Sequence, residues 1–131
     1  MSEMLELGKR ARAAAKEIAL APAEIKNAAL RAMATHIRDS ASAILAANAA
    51  DLEAAKAKDL KSSFVDRLTL NPARLEAMAK GLEDIAALAD PVGRVLEKWT
   101  RPNGMEISRV AVPLGVIGII YESRPNVTAD A

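Results

Sequence analysis

Residues 112–131 read VPLGVIGIIYESRPNVTADA, and the run LGVIGIIY at 114–121 within them decides the fold class. It is an unbroken apolar stretch of strand length, the pattern of a strand covered on both faces in a parallel α/β sheet. Nothing before it offers such a sheet a second strand, so its neighbours are expected from sequence beyond Ala131. Gly115 and Gly118 make no GxGxxG loop and read as positions of close backbone packing.

Upstream the composition changes. Residues 1–90 hold 26 of the 29 alanines, whereas 92–121 hold one. The first part reads as helices. Met4, Leu7, Ala11, Ala14 and Ile18 recur at spacings of three and four and so share one helical face. Pro22 suits the first turn of a second helix carrying Leu30, Met33 and Ile37. Asp39-Ser40 with Ser42 offers a break and a new N-cap. A third helix places Leu45, Asn48, Leu52 and Ala55 on one side. An amide on that face needs partners, so Asn48 either caps or cross-links a neighbouring segment, or the buried face is rotated toward Ile44. Residues 64–70 read as a loop or short turn. Asn71-Pro72 is an N-cap followed by proline at the first helical position. The helix it opens carries Leu75, Met78, Leu82, Ile85 and Ala89, and Asp90-Pro91 stops it.

Between the helices and 114–121 the period becomes two. Residues 95–101 and 105–112 flank Pro102-Asn103-Gly104, a strong hairpin signal because Asn and Gly both tolerate positive φ. Trp99 faces one side of the ribbon and calls for a partner surface. Pro113 ends the second strand.

The bulk numbers exclude several functions. Eighteen Lys and Arg against seventeen Asp and Glu give a formal charge of +1, with no run of five like charges, so no nucleic-acid partner is expected. No stretch approaches the ~20 apolar residues of a membrane span. Lys16 and Glu17 interrupt any signal-peptide core, which implies a cytoplasmic protein and makes the sequon at Asn126-Val127-Thr128 a coincidence. The absence of cysteine excludes disulfides, thiolate metal sites and thiol catalysis within these residues, and a single histidine leaves little for any other transition-metal site. His36 reads as a solvated or edge residue. No P-loop, HExxH or EF-hand spacing occurs.

The run YESRPN behind GVIGII, together with ILAANAADLEAAKAKDL (44–60), DRLTL (66–70) and ALADPVGRV (87–95), resembles the gamma-glutamyl phosphate reductases of the aldehyde dehydrogenase superfamily. The resemblance covers nearly the whole chain and fits an N-terminal fragment. It implies an α/β fold in which 1–93 is the helical part of the cofactor-binding domain, 94–113 an oligomerisation hairpin, and 114–131 the first strand and loop of the cofactor sheet. It implies NADPH-dependent reduction of L-glutamate 5-phosphate to the 5-semialdehyde, in proline biosynthesis. A cysteine thiolate, absent here, forms a thioester in that reaction. The partners implied are the small-molecule substrate and further copies of the chain, joined through the hairpin at 95–112.

Carried over residue by residue, Tyr121, Glu122 and Ser123 take the strand-exit place that touches the cofactor. Asn126 takes that of the oxyanion-stabilising asparagine. The superfamily pattern there is Pro-Trp-Asn and this chain has Ser-Arg-Pro-Asn, so a second register stays open. Arg124 is then the residue suited to the anionic groups of the substrate. Without the resemblance, Arg124 and Glu122 read as solvated or ion-paired loop residues. Thr128 reads as the N-cap of a helix opening as the sequence ends, in keeping with a fragment that is inactive alone. The alternative is a self-contained module of four amphipathic helices whose hairpin docks a partner. It leaves 114–121 with no sheet to enter.

Overall fold

A computed structural model describes residues 3–131. Its elements are, in order, α1 (Glu3–Ile18), α2 (Ala23–Asp39), α3 (Ala41–Ala57), α4 (Ser62–Leu68), α5 (Pro72–Ala86), β1 (Val95–Thr100), β2 (Glu106–Val110) and α6 (Val127–Asp130). They form two compact units, one holding α1 and the hairpin, the other α2–α5 and α6.

In the helical unit the core lies where α2 crosses α5. Ala34 and Ala79, both fully buried, meet Leu82, with Leu30 and Ile37 packed alongside. Alanines at the crossing let the two backbones approach, so the contact is made by the residues that a large-side-chain pattern overlooks. The expected stripes are therefore kept only in part, with Leu30, Ile37, Leu75 and Leu82 turned inward. On α2, Ala34 replaces Met33, which stays exposed. On α5 the buried set is Leu75, Ala79, Leu82 and Ala86, while Ile85 faces solvent.

Local signals behave unevenly. Asn71 caps α5 as expected, its side chain accepting a hydrogen bond from the Arg74 N–H at 2.8 Å with Pro72 in the first turn. The helix nonetheless ends at Ala86, ahead of Asp90-Pro91. Asp90 instead closes a turn by accepting from the Val92 N–H at 2.9 Å. Ser40 separates α2 from α3 without making a side-chain cap.

Residues 64–70 are not a loop but belong largely to α4. Two side chains from neighbouring helices hold its C-terminal end. Asn48, 4% exposed, donates to the Leu68 carbonyl at 2.8 Å and accepts from the Leu70 N–H at 2.7 Å. The cross-linking alternative for Asn48 is thus the one realised, and both ends of its amide are satisfied.

An ion cluster unmarked in the sequence ties α2 to α5. Arg38 reaches Glu76 through Nε at 2.9 Å and Nη2 at 2.7 Å, and uses Nη1 and Nη2 for Glu83, about two turns further along the same face of α5. Hydrogen bonding to Arg38 holds both carboxylates below their ordinary pKa and raises that of the guanidinium. A depressed carboxylate stabilises the fold above its unfolded pKa and loses that contribution as the pH falls through the folded value. The urea midpoint of the helical signal is therefore expected to hold steady from neutral pH down to about 5, the upper edge of the carboxylate range, and to fall below it. Arg38→Gln is expected to flatten that acid limb; an unchanged limb in the variant would remove the cluster from the acid response.

In the other unit, the residues that gain cover are Ala11 and Ala15 of α1 and Ala19 just beyond it; of the expected stripe Ala11 alone does so, while Met4, Leu7, Ala14 and Ile18 stay exposed. Gly8, Ala15 and Ala19 line a groove with Pro113, Leu114 and Val116, where small side chains leave room for the crossing chain. The hairpin forms where expected. β1 and β2 pair antiparallel with Trp99 opposite Ile107 and a bulge at Leu96. Its turn closes by Gly104 N–H donating to the Arg101 carbonyl at 2.9 Å, and only Gly104 takes positive φ, at 82°. Asn103 instead accepts from the Met105 N–H at 3.2 Å. The loop is thus a three-residue turn ending in a left-handed glycine.

The segment 114–121 forms no strand. The only sheet among the described residues is the two-stranded β1–β2 hairpin, and neither strand pairs with it. A strand is a ladder of hydrogen bonds, so extended apolar sequence without a neighbour remains unpaired backbone. Leu114 is 89% exposed and Ile120 fully so. No described helix is long and apolar enough to cross a membrane.

Candidate functional site

The chain turns back on itself after Tyr121. Ser123 adopts a left-handed backbone, φ 53°, and the Val127 N–H donates to the Arg124 carbonyl at 3.1 Å. Helix α6 follows, beginning at Val127 with Asn126 in the cap position but making no side-chain cap. Thr128 is consequently inside the helix rather than capping it. Its hydroxyl lies 2.6 Å from the Tyr121 hydroxyl, which pins the segment entering the turn to the helix leaving it.

This turn packs beside α5, and a cleft of about 460 Å³ opens there, lined by Asp66, Arg67, Thr69, Leu70, Arg74, Ala77, Met78, Arg124, Asn126 and Asp130. Its volume suits a small molecule. Two expected site residues, Arg124 and Asn126, thus share one cleft. Tyr121, Glu122 and Ser123 do not line it, and Glu122 is exposed, with no ion pair to it among the described residues.

The polar groups of the cleft differ in how far they are committed. Arg74 is committed within the protein: Nη1 donates to the Thr69 carbonyl at 2.6 Å and also to the Asp66 carbonyl, while Nη2 meets the Asp66 carboxylate at 3.0 Å. It caps the C-terminal end of α4 and shapes the wall. The Asn126 amide donates to the Asp130 carboxylate at 2.6 Å. To stabilise an oxyanion it would have to exchange that partner for the developing charge. Arg67 lies over the Phe64 ring, 6.0 Å from its centroid. Neither Arg67 nor Arg124 meets a carboxylate among the described residues. The part played by Arg67 and Arg74 was not visible in the sequence, because no local pattern links positions 67 and 74 to 124.

The fold recurs as a segment of solved reductases. A crystal structure from Thermotoga maritima matches with a TM-score of 0.93 at 44% identity, over 98% of this chain and 31% of that one. One from Saccharomyces cerevisiae matches with a TM-score of 0.92 at 34% identity, over 99% and 33% respectively. Both are gamma-glutamyl phosphate reductases, and a curated relative from Paramagnetospirillum magneticum with the same name is 68% identical over 128 residues, 98% of this chain. No family model matches the chain. The resemblance read from YESRPN thus holds along the whole sequence, in sequence and in fold alike. The chain spans about 30% of the length of the curated relatives it matches.

Proposed function

We propose that these residues serve as part of a cytoplasmic gamma-glutamyl phosphate reductase that uses NADPH to reduce L-glutamate 5-phosphate to L-glutamate 5-semialdehyde in proline biosynthesis. The observation that carries the reading is 68% identity to a reductase of that name over 98% of the chain. In this reading the fold is the opening of an aldehyde dehydrogenase-like subunit, 114–121 enters the cofactor sheet as its first strand, and the hairpin joins subunits. The exposure of every residue of β1 supports the last point, since a two-stranded ribbon is marginal without a surface to rest on.

The chain's own contribution is binding and orientation. Arg124 supplies a guanidinium for an anionic group of the substrate, and Asn126 an amide beside it. NADPH supplies the hydride when bound. Residues 121–123 are an exposed edge, not an enclosed dinucleotide pocket, so they contribute at most one wall of its site. The thiol nucleophile must come from outside these 131 residues, which contain no cysteine.

A chimera tests the reading. In the Paramagnetospirillum enzyme, the 128 matching residues are exchanged for those of this chain. The chimera is expected to oxidise NADPH in the presence of the acyl phosphate and to restore growth of a proline auxotroph without proline, while the 131-residue chain alone gives no turnover. A folded but inactive chimera, or turnover by the isolated chain, would overturn it.

A further inference from the structure

We propose that Arg67 is a second substrate-binding residue, forming with Arg124 an anion-binding pair that holds a carboxylate or phosphate group of the substrate. The proposal rests on the reductase reading for the identity of the substrate, but not for the existence of the pair. Charge accounting within the cleft carries it. Of its two carboxylates, Asp66 is neutralised by Arg74, whereas Asp130 accepts a hydrogen bond from the neutral Asn126 amide and keeps its charge. Of its three guanidiniums, Arg74 is consumed by that carboxylate and by two carbonyls. The cleft therefore carries one guanidinium more than it has carboxylates, and neither Arg67 nor Arg124 forms an ion pair among the described residues.

Their placement is specific to the fold. Arg67 stands on α4, whose C-terminal end is fixed by Asn48 and Arg74, and the Phe64 ring one turn earlier supports its guanidinium plane. Arg124 arrives from the turn packed beside α5. Two planar forks lining one small cleft suit a group with several acceptor oxygens, which each arginine can engage through two parallel hydrogen bonds. Carboxylate and phosphate share that chemistry, and an acyl phosphate of an amino acid carries both.

The test has two arms. In the first, the 131-residue chain is titrated with inorganic phosphate and, separately, with L-glutamate, following the arginine Nε–H resonances by NMR. Saturable shifts are expected at Arg67 and Arg124 but not at Arg38, whose fork is already filled. Arg67→Gln is expected to weaken binding roughly tenfold or more, the usual loss for a hydrogen bond to a charged group, with Arg67→Lys recovering part of it. Saturation by phosphate alone assigns the pair to the phosphoryl end, and saturation by glutamate alone to the carboxylate. No saturation by either, or equal shifts at Arg38, overturns the pair. In the second arm, Arg67→Gln in the active chimera is expected to raise KM for the acyl phosphate at least about tenfold, with KM for NADPH unchanged. An active chimera indifferent to Arg67→Gln sinks the substrate role while the reductase reading stands. An inactive chimera whose Arg67 and Arg124 resonances still shift sinks the reductase reading and leaves the pair.

Discussion

Asn48→Ala is expected to lower the unfolding free energy by about 2–4 kcal/mol, because it strands a buried donor and a buried acceptor at once. Asn48 is the one buried polar residue among those described, and its amide serves the Leu68 carbonyl and the Leu70 N–H together. Water cannot easily replace it, since Leu70 is itself buried. The loss is measured as a fall in the urea midpoint of the helical circular dichroism signal. Hydrogen exchange at the Leu70 amide gives the local readout and should accelerate far more than exchange within β1. Asn48→Asp separates the two bonds. It keeps the acceptor for Leu70 but sets a carboxylate oxygen against the Leu68 carbonyl, so at neutral pH it should cost at least as much as alanine and recover in part when acid protonates it. A variant with an unaltered midpoint and unaltered Leu70 exchange would show that the bracket does not hold the end of α4.

Leu82→Ala is the second large effect, expected at about 3–5 kcal/mol, in the upper part of the range for buried leucines. Leu82 is 4% exposed and packs against Ala34 and Ala79, both at 0%. The two alanines have no flexible side chains with which to fill the space, which leaves only Leu30 and Ile37 to move in, so most of the cavity persists. Ile85→Ala provides the contrast. Periodicity alone puts Leu82 and Ile85 on one stripe, yet Ile85 is 49% exposed, and its truncation should cost less than about 1 kcal/mol. Equal midpoint shifts for the two variants would rule out the α2–α5 crossing described above.

That contrast shows where sequence reading reaches and where it stops. Asn71-Pro72 and Pro102-Asn103-Gly104 were legible because the residues that form each feature are adjacent and act through their own backbone preferences. Leu30, Ile37, Leu75 and Leu82 were legible as core positions, but the buried faces of α1, α2 and α5 were only partly placed because alanines make many of the close contacts, and hydrophobic patterning gives alanine little weight. Helix α4 was read as a loop because a short Ser-Ser-Phe-Val run has weak helical preference, while Asn48 and Arg74 hold its end from outside. Arg124 and Asn126 were visible only through family resemblance. Their cleft partner Arg67 was not, since charge accounting requires knowing that Arg74 and Asp66 have already satisfied one another.

The unpaired segment 114–121 also bears on how such a chain stays out of aggregates. Eight uncharged, β-prone residues with Leu114 and Ile120 standing free are the composition that cross-β assembly favours. The chain brackets them with gatekeepers: Pro113, which has no N–H for a growing ladder, on one side, and Glu122 and Arg124 on the other, while Gly115 and Gly118 interrupt the interior. Glu122, which lines no cleft and forms no ion pair among the described residues, gains a role from this position. A charge next to the end of this segment makes self-stacking in register repulsive, and leaves pairing with unlike strands as the favoured outcome.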